Sequence, residues 1–477
     1  MKNYLVKIFG KRINEVNEII DKGKGRRISA VRRNIDGGFR ATAIIPKKEI
    51  EKLNLNKRIS VEDLDKKKPL ASKKVKPIIA KETKELEPLP LVKIIGDSDL
   101  KKDESQSRVR IGNRYLDPDE DNNSKFYNIE EIEYALSNCE NYFIKKFRLN
   151  ELTHENRECH YVKISLDNKL KKKGIYIIGG VHGDEWVPPD ALVFFLEQLS
   201  DAYRNKKNIT LGNYICSFKS VKKIIENLCI YLFPQVNPDG RFFSQTSSDN
   251  TGRKNRRPET NLCKIETRGV DINRNYNILW DFPQYFSSDF SGQMNKDKCD
   301  RNYIGPSPFS EPETRNVKFI FDYNLGIEFF VDIHSGGNLI LYNWSNDMYQ
   351  SENEDMSFKN CTYWGMYGNR FDIKYLEYVC KDDTAIRIKL AEKMNEGIFG
   401  VNGVIYQIQP SINYDPVSGS STDYFDSLSY VDKSKPKVHS YTIECATEHQ
   451  PDLREREIVI KEVTAALLEL CKSVSGQ

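Results

Sequence analysis

"GIYIIGGVHGDEWVPPDALVFFLEQLSDAYRN", residues 174–205, joins an apolar run, a short polar loop and a long amphipathic segment. The run at 174–180 is continuously apolar, which predicts a strand buried on both faces of a sheet. The segment at 188–205 has helical periodicity and begins at two prolines, which favours a helix. His182 and Glu185 lie in the loop between the two elements.

The same alternation of apolar strands and amphipathic helices recurs downstream. Strands are predicted at 228–238, 327–334 and 439–446, and helices at 129–143, 313–324, 385–398 and 455–474. Such an order predicts an α/β fold, with a mixed, mostly parallel twisted sheet that carries helices on both faces. Ligands of such sheets bind beyond the carboxyl ends of the strands.

The first part of the chain has a different texture. Residues 1–70 predict a small ferredoxin-like α+β domain, built from a strand at 4–10, a helix at 12–23, a hairpin around Asp36-Gly37-Gly38 and a helix at 47–54. Residues 71–124 are rich in Lys, Pro, Asp, Glu and Ser and predict a polar linker. Residues 125–477 then form the large α/β domain.

Composition excludes some classes of protein. With 477 residues, 39% of them hydrophobic and 30% charged, the chain is neither disordered nor collagen-like. The net charge is +4, yet residues 1–100 hold 25 Lys and Arg against 14 Asp and Glu, so the remainder is net negative. A basic N-terminal segment could dock on an acidic body, or could simply be a soluble lysine-rich segment.

The N-terminal sequence and the cysteine pattern indicate a compartment in which thiols are reduced. The N-terminus has no apolar core of signal-peptide length, and no run of 18 apolar residues occurs, so we expect no membrane partner and a cytoplasmic protein, with unconventional secretion left open. The ten cysteines include no C-x-x-C pair. That pattern indicates neither a zinc knuckle nor a dithiol redox site.

Three residues could ligate a metal. His182 and Glu185 follow one predicted strand, and His334 ends another. A catalytic zinc ion takes three protein ligands from nitrogen and carboxylate groups and leaves its fourth position open. The H-x-x-E pattern alone is weak, because one chance occurrence in this chain is about as expected as none.

Two further segments carry charged residues in unusual settings. Residues 251–276 are rich in Arg and Asn, which would fit a solvated basic loop or a nucleic-acid patch. The strand-like "GVDI" at 269–272 and the absence of interleaved aromatics favour neither, so no nucleic-acid partner is expected. Glu444 lies within the apolar run "SYTIECA", where a carboxylate is costly unless it faces a metal or a cation, or unless the strand is an edge strand.

Taken together, these segments resemble a known family. Seven motifs follow one another in the order found in zinc metallocarboxypeptidases of the carboxypeptidase A type: "HGDEW" (182–186), "NPDG" (237–240), "GRKNR" (252–256), "GVDINRNY" (269–276), "DIHS" (332–335), "YDPVSGSSTDY" (414–424) and "YTIEC" (441–445). The resemblance runs from about Tyr127 to the C-terminal helix. It implies a zinc-dependent exopeptidase that acts on peptide or protein C-termini, with one zinc ion per chain.

The resemblance implies roles for the residues of the metal site. His182, Glu185 and His334 match the zinc ligands, and Asp271 matches the carboxylate that orients the first histidine. Glu444 matches the general base and acid, which takes a proton from the attacking water and passes it to the leaving amine.

Five other positions match substrate-contacting residues of the family. Arg253 matches the stabiliser of the oxyanion, while Asn273 and Arg274 match the pair that grips the terminal carboxylate. Tyr414 matches the tyrosine that closes over the substrate, although its spacing to the next Ser-Gly is one residue longer. Thr422 matches the base of the specificity pocket, and because it is uncharged it predicts a preference for uncharged terminal residues.

The sequence also departs from the family. Asp184 replaces an arginine that binds the upstream part of the substrate, and Cys263 and Cys299 lie where secreted relatives form a disulfide, so they are either paired or free thiols. The basic N-terminal segment falls where relatives have an inhibitory propeptide, which leaves a propeptide-like or an accessory domain open. Alternative functions are hydrolysis of another carboxylate-bearing amide, such as a cell-wall peptide or an acylated amino acid, and catalytically silent binding of peptide ends.

Overall fold

The computed structural model describes residues 126–476 except 167–171, 248–250, 289, 291, 348 and 369–373, together with short backbone strands before residue 117. The chain divides into two compact units, Met1–Arg108 and Val109–Gln477. Among the described residues, no helix combines the length and the hydropathy that a membrane span requires.

The first unit contains an antiparallel sheet of five strands. They are β1 (Asn3–Gly10), β2 (Arg26–Arg27), β3 (Arg32–Arg33), β4 (Phe39–Pro46) and β5 (Ser60–Asp63). Their order is β2–β4–β1–β5, with β3 also paired to β4. The strands predicted at 4–10 and 39–46 are confirmed, and β3 and β4 pair as the predicted hairpin requires. The helices predicted at 12–23 and 47–54 lie outside the described residues.

In the part of the second unit that the structure describes, the strands form one large sheet and three two-stranded ribbons. In chain order they are β6 (Val109–Ile111), β7 (Arg114–Leu116), β8 (Ile144–Arg148), β9 (His160–Ile164), β10 (Lys173–Gly179), β11 (Ile209–Leu211), β12 (Tyr214–Cys216), β13 (Leu228–Phe233), β14 (Ile327–Ser335), β15 (Leu339–Tyr342), β16 (Gln350–Ser351), β17 (Glu377–Tyr378), β18 (Gln407–Pro410) and β19 (His439–Cys445). The large sheet has the order β18–β15–β19–β14–β10–β13–β9–β8. The β6–β7 hairpin lies within the predicted linker at 71–124, and the other residues of that linker lie outside the described residues.

The five helices predicted for the large domain are present, as are the strands predicted at 174–180, 228–238, 327–334 and 439–446, and further strands and helices that were not predicted lie between them. The α-helices of the described residues are α1 (Ile129–Asn138), α2 (Val187–Asn205), α3 (Phe218–Asn227), α4 (Pro238–Thr246), α5 (Phe282–Tyr285), α6 (Pro312–Tyr323), α7 (Lys381–Asn402), α8 (Ser421–Val431) and α9 (Leu453–Ser475). Local sequence explains several helix starts. The side chains of Asn128 and Asp452 accept hydrogen bonds from backbone N–H groups of the first turns of α1 and α9, contacts typically worth about 1 kcal/mol each.

The central strand β10 separates two apolar layers. Ile175 and Ile177 pack on one face with α2, α3, α7 and α9, while Tyr176 and Ile178 pack on the other face with α6 and α8. β10 pairs in parallel with β13 and β14, β14 pairs in parallel with β19, and antiparallel pairing occurs at β9 and between β15 and β19. The predicted fold class, a mostly parallel sheet covered on both faces, is confirmed.

The structure corrects one local prediction, the strand at 269–272, and decides one question that the sequence left open, the pairing of two cysteines. The strand predicted at 269–272 is wrong, because the Asp271 side chain accepts a hydrogen bond from Asn273 N at 3.0 Å and turns the chain into the 3-10 helix Ile272–Arg274. Cys263 and Cys299, which the sequence left as either paired or free, form a disulfide.

Candidate active site

The carboxyl ends of three neighbouring parallel strands, β10, β14 and β19, bring the site together. His182 and Glu185 follow β10, and His334 is the next-to-last residue of β14. Glu444 lies on β19 directly beside His334 in the strand register. Because β19 lies between β14 and β15, the edge-strand alternative for Glu444 is wrong.

His182, Glu185 and His334 present three donor groups to one point. His182 Nδ1 lies 2.7 Å from Glu185 Oε1, and His334 Nδ1 lies 3.1 Å from both His182 Nδ1 and Glu185 Oε2. All three residues are buried. Burial alone would raise the pKa of Glu185, but the two histidines hold that pKa well below its usual range.

A carboxylate behind each histidine determines which nitrogen faces the site. His182 Nε2 lies 3.2 Å from Asp271 Oδ1, and His334 Nε2 lies 3.1 Å from Asp332 Oδ1. That Asp332 oxygen is buried and has no hydrogen-bond partner among the described residues, so its contact with His334 is an ion-pair contact. A proton on each Nε2 leaves the lone pair of each Nδ1 directed at Glu185, as in the carboxylate–histidine–metal arrangement.

This donor set fits a zinc ion. Two imidazole nitrogens and a carboxylate are the ligand types of catalytic zinc, and ligands about 2.0–2.1 Å from a tetrahedral zinc lie roughly 3.3 Å from one another. The donor atoms are 2.7 to 3.1 Å apart, so they would hold zinc after a small expansion.

Arg253 is held against the metal-binding residues by Asp271. Its Nε and Nη2 donate to Asp271 Oδ2 at 3.0 and 2.7 Å. The Asn237 amide supports the loop, since it donates to the carbonyls of Val181 and Arg253 at 3.2 and 3.4 Å. Gly183 allows this close packing, because a Cβ there would lie 2.1 Å from the Gly240 carbonyl carbon.

Asn273 and Arg274 follow Asp271 in the 3-10 helix. Asn273 Oδ1 accepts from Ser421 N at 2.9 Å, and its Nδ2 lies 3.3 Å from His334 Nε2. Arg274 donates through Nε to Gln293 O at 2.6 Å and through Nη1 to Asn273 O at 2.9 Å. Both groups are therefore fixed before any substrate binds. Gly419, at φ +67°, lets the Ser-Gly segment approach Arg274, whose carbonyl oxygen would lie 2.4 Å from an added Cβ.

Glu444 and Tyr414 interact electrostatically across the site. Burial raises the pKa of Glu444 to about 8, an effect that His334 opposes and Glu185 reinforces. The charge of Glu444, together with burial, raises the pKa of Tyr414, which keeps its hydroxyl protonated at neutral pH. A carboxylate whose pKa lies close to neutrality suits a group that both accepts and returns a proton.

One cavity of about 250 Å³ collects nearly all the residues predicted from the sequence. Asp271 alone lies behind the cavity wall; those that line the cavity are His182, Glu185, Arg253, Asn273, Arg274, His334, Tyr414, Thr422 and Glu444. Thr422 is the second residue of α8 and is buried. Arg256 and Arg257 of the predicted basic cluster do not line the cavity.

Sequence reasoning missed several residues of the site. Asp332 precedes His334 by two positions, so strand alternation could have placed both on one face. Arg301 and His449 also line the cavity, and His449 Nδ1 lies 3.7 Å from Asp184 Oδ2. No local pattern marks these two, because each lies in a loop whose position depends on the whole fold.

Comparison with known proteins identifies relatives. A family model described as "Zinc carboxypeptidase" matches residues 146–463. The chain is 30% identical over 191 residues to carboxypeptidase O of Homo sapiens, which covers 40% of this chain and 44% of that protein. It is 31% identical over 202 residues to carboxypeptidase B of Helicoverpa zea, which covers 42% of this chain and 41% of that protein. These matches span less than half the length of each curated relative.

A solved structure supports the fold. Carboxypeptidase A from Helicoverpa armigera superposes with a TM-score of 0.57 at 17% identity, over 99% of this chain and 98% of that one. At this identity the likeness speaks for the fold alone.

Proposed function

The chain belongs to the zinc carboxypeptidase family, and on that premise we propose that it is a zinc-dependent exopeptidase. It would release single, uncharged residues from the C-termini of peptides or proteins. The observation that supports this most directly is one cavity in which His182, Glu185 and His334 converge beside Glu444, with Asn273 and Arg274 on its lining.

In this proposal His182, Glu185 and His334 hold one catalytic zinc ion per chain. When bound, zinc supplies Lewis acidity, which lowers the pKa of water and polarises a carbonyl. Glu444 accepts a proton from the attacking water and returns it to the departing amine. Arg253, fixed by Asp271, stabilises the negative charge that develops on the carbonyl oxygen.

The exopeptidase restriction would come from Asn273 and Arg274. Arg274 Nη2 makes no hydrogen bond with a described residue, so that edge of the guanidinium is free to bind a carboxylate. A planar guanidinium suits that interaction. Tyr414 would close over the bound residue. In a peptide, a main-chain carboxylate occurs only at the C-terminus, so a carboxylate bound by Arg274 would place the last peptide bond at the metal-binding residues.

Specificity would come from an uncharged set of lining residues. This set comprises Leu341, Ser345, Val417, Thr422 and Thr442. A charged terminal side chain placed against them would lose its hydration without gaining a partner. Aliphatic and aromatic terminal residues are therefore the proposed substrates.

A peptide panel tests the proposal. Blocked dipeptides ending in Phe, Leu, Lys and Glu are assayed beside the Phe peptide with an amidated C-terminus, before and after chelation and with zinc restored. We expect turnover of Phe and Leu peptides, loss of activity on chelation, recovery with zinc and no cleavage of the amide. Equal turnover of the amidated peptide would contradict the carboxylate clamp, and faster turnover of Lys or Glu peptides would contradict the specificity.

Arg274→Met offers a sharper version of the same test. It should lower kcat/KM for the free-acid peptide by roughly 100-fold, the effect of a lost charge-assisted contact of about 3 kcal/mol.

Two further predictions of the sequence stay predictions: that the basic N-terminal segment docks on the rest of the chain, and that the protein is cytoplasmic.

A further inference from the structure

A second group of metal-ligand side chains lies outside the cavity of the candidate active site. We call His154, Glu311 and Glu313 the acid–histidine cluster; their ligand atoms lie within 4.8 Å of one another. His154 is in the loop between β8 and β9, while Glu311 occupies the N-cap position of α6 and Glu313 lies in its first turn. None of the three lines the active-site cavity.

Glu311 is held from two sides. Its Oε1 accepts from Arg257 Nη1 at 2.9 Å, whereas its Oε2 lies 2.9 Å from His154 Nε2 and 2.8 Å from Asn255 Nδ2. The side chain is fully buried. The histidine therefore shares one carboxylate oxygen with an amide, while the arginine neutralises the other.

Glu313 lacks such compensation. It is fully buried, its Oε2 accepts from Asn255 Nδ2 at 2.9 Å, and its Oε1 has no hydrogen-bond partner among the described residues. No described Lys, Arg or His forms an ion pair with it. Burial and the neighbouring charge of Glu311 raise its pKa to about 8. A buried carboxylate oxygen without a partner is costly, and the Glu313 carboxylate lies within 4.8 Å of the ligand atoms of a second carboxylate and an imidazole.

We propose that the acid–histidine cluster binds a divalent transition-metal ion through His154 Nε2, Glu311 Oε2 and the carboxylate of Glu313. An imidazole with two carboxylates favours ions such as Zn²⁺ or Mn²⁺ over Mg²⁺ and Ca²⁺, which prefer oxygen ligands alone. A divalent cation would displace the proton that burial favours on Glu313 and would satisfy its free oxygen. The His154 side chain is 18% exposed, so the site can be reached from solvent.

The position of Asn255 gives this site a structural consequence. Its amide donates to both carboxylates of the cluster, and its Oδ1 accepts from Val270 N at 2.8 Å. Asn255 N in turn donates to Val270 O at 3.1 Å. Asn255 follows Arg253 by two residues, and Val270 directly precedes Asp271. An ion that holds the cluster would therefore stabilise the hydrogen bonds between Asn255 and Val270, which support the backbone next to Arg253 and Asp271.

Zinc titration of the full chain tests the proposal. The metal-depleted protein is titrated with Zn²⁺ against a colorimetric zinc indicator, and thermal unfolding is followed with and without the ion. We expect two equivalents for the unaltered chain, one for His154→Ala and one for Glu313→Gln. Zn²⁺ should also raise the Tm of His182→Ala, which keeps only the acid–histidine cluster intact.

Controls separate this proposal from the catalytic one. Glu155→Gln, next to His154 and exposed, should keep both equivalents. His154→Ala changes a partly exposed side chain, so its folding, checked by circular dichroism, does not depend on tolerance at the buried Glu313. Unchanged stoichiometry in His154→Ala, or a Tm of His182→Ala that Zn²⁺ leaves unaltered, would overturn the inference. If only His182→Ala loses an equivalent of zinc, the result supports the catalytic site and contradicts the acid–histidine cluster.

Discussion

Two sets of residues line the same cavity and are built on different principles. The catalytic set (His182, Glu185, Arg253, His334 and Glu444) is charged or metal-binding, and it comes from strand ends and adjoining loops that hold each group against a fixed partner. The uncharged set (Leu341, Ser345, Val417, Thr422 and Thr442) comes from β15 and the loop that follows it, from the segment that leads into α8, from α8 itself and from β19. The first set determines what reaction is possible, and the second determines which side chain fits.

This difference has an electrostatic basis. In the catalytic set most buried charges have an opposite charge beside them, as with Asp271 behind both His182 and Arg253, whereas burial raises the pKa of Glu444 to about 8. Behind the uncharged set lies Asp423, whose Oδ2 accepts from Ser345 N at 3.3 Å and whose Oδ1 has no described partner. Around the metal-binding residues charges are therefore paired, whereas Glu444 and the Asp423 carboxylate behind the uncharged set are both poorly compensated.

Of the substitutions considered, Glu444→Gln should lower the catalytic rate most. The amide cannot accept the proton of the attacking water, so kcat should fall by 10³- to 10⁴-fold, or about 4–5.5 kcal/mol, while zinc content stays unchanged. Steady-state kinetics on a blocked Phe dipeptide and metal analysis measure both effects. The matched variant Glu448→Gln, four residues away and exposed, should keep full activity. Comparable activity in both variants would rule out Glu444 as the base.

Asp423→Asn tests the poorly compensated charge behind the uncharged set. Burial raises the pKa of Asp423 to about 7 from the ordinary 3.8. The folded state therefore keeps a proton that the unfolded state releases above pH 4, and stability falls as pH rises from about 4 to 7. Removing that charge should stabilise the protein at pH 8 by at most about 4 kcal/mol.

Denaturant unfolding between pH 4 and 8 measures this effect. The stability difference between Asp423→Asn and the unaltered protein should grow with pH and level off above about 7. Asp355→Asn, at an exposed position, should show no such growth. A difference that does not vary with pH would mean that Asp423 is ionised throughout.

Asp332→Asn sharpens the role of the groups behind the histidines. The amide cannot hold the proton of His334 Nε2 as firmly as the carboxylate, so zinc affinity should fall about 10- to 100-fold. Competition with a zinc chelator measures the affinity, and the exposed Asp322→Asn is the matched control. Unchanged affinity would indicate that the contact to Asp332 does not orient His334.

Thr422→Asp should shift specificity with the smallest effect. A carboxylate at this position would pair with a basic terminal side chain, so kcat/KM for Lys relative to Phe peptides should rise roughly 10-fold, or about 1.4 kcal/mol. Thr422→Val keeps the position uncharged and should preserve the preference for Phe. If the Lys-to-Phe ratio does not change, Thr422 does not contact the terminal side chain.

Much of the fold followed from local patterns. Continuous apolar runs such as that at 174–180 marked the buried strands, and amphipathic periods marked the helices, because burial on one or both faces is written into the spacing of apolar residues. The "GVDI" run was misread as a strand. A side-chain hydrogen bond from the Asp271 carboxylate, which no hydrophobic pattern reveals, turns the backbone there instead.

The sequence by itself predicted the main buried strands and amphipathic helices, and its motifs, through their resemblance to a known family, marked the residues of the catalytic set. Only the tertiary structure decided that β19 lies inside the sheet, that Asp332 stands behind His334 and that Cys263 pairs with Cys299. It alone also joined His154 to Glu311 across 157 residues. Contacts between distant segments depend on how the sheet orders its strands and packs its loops, and local periodicity carries no information about either.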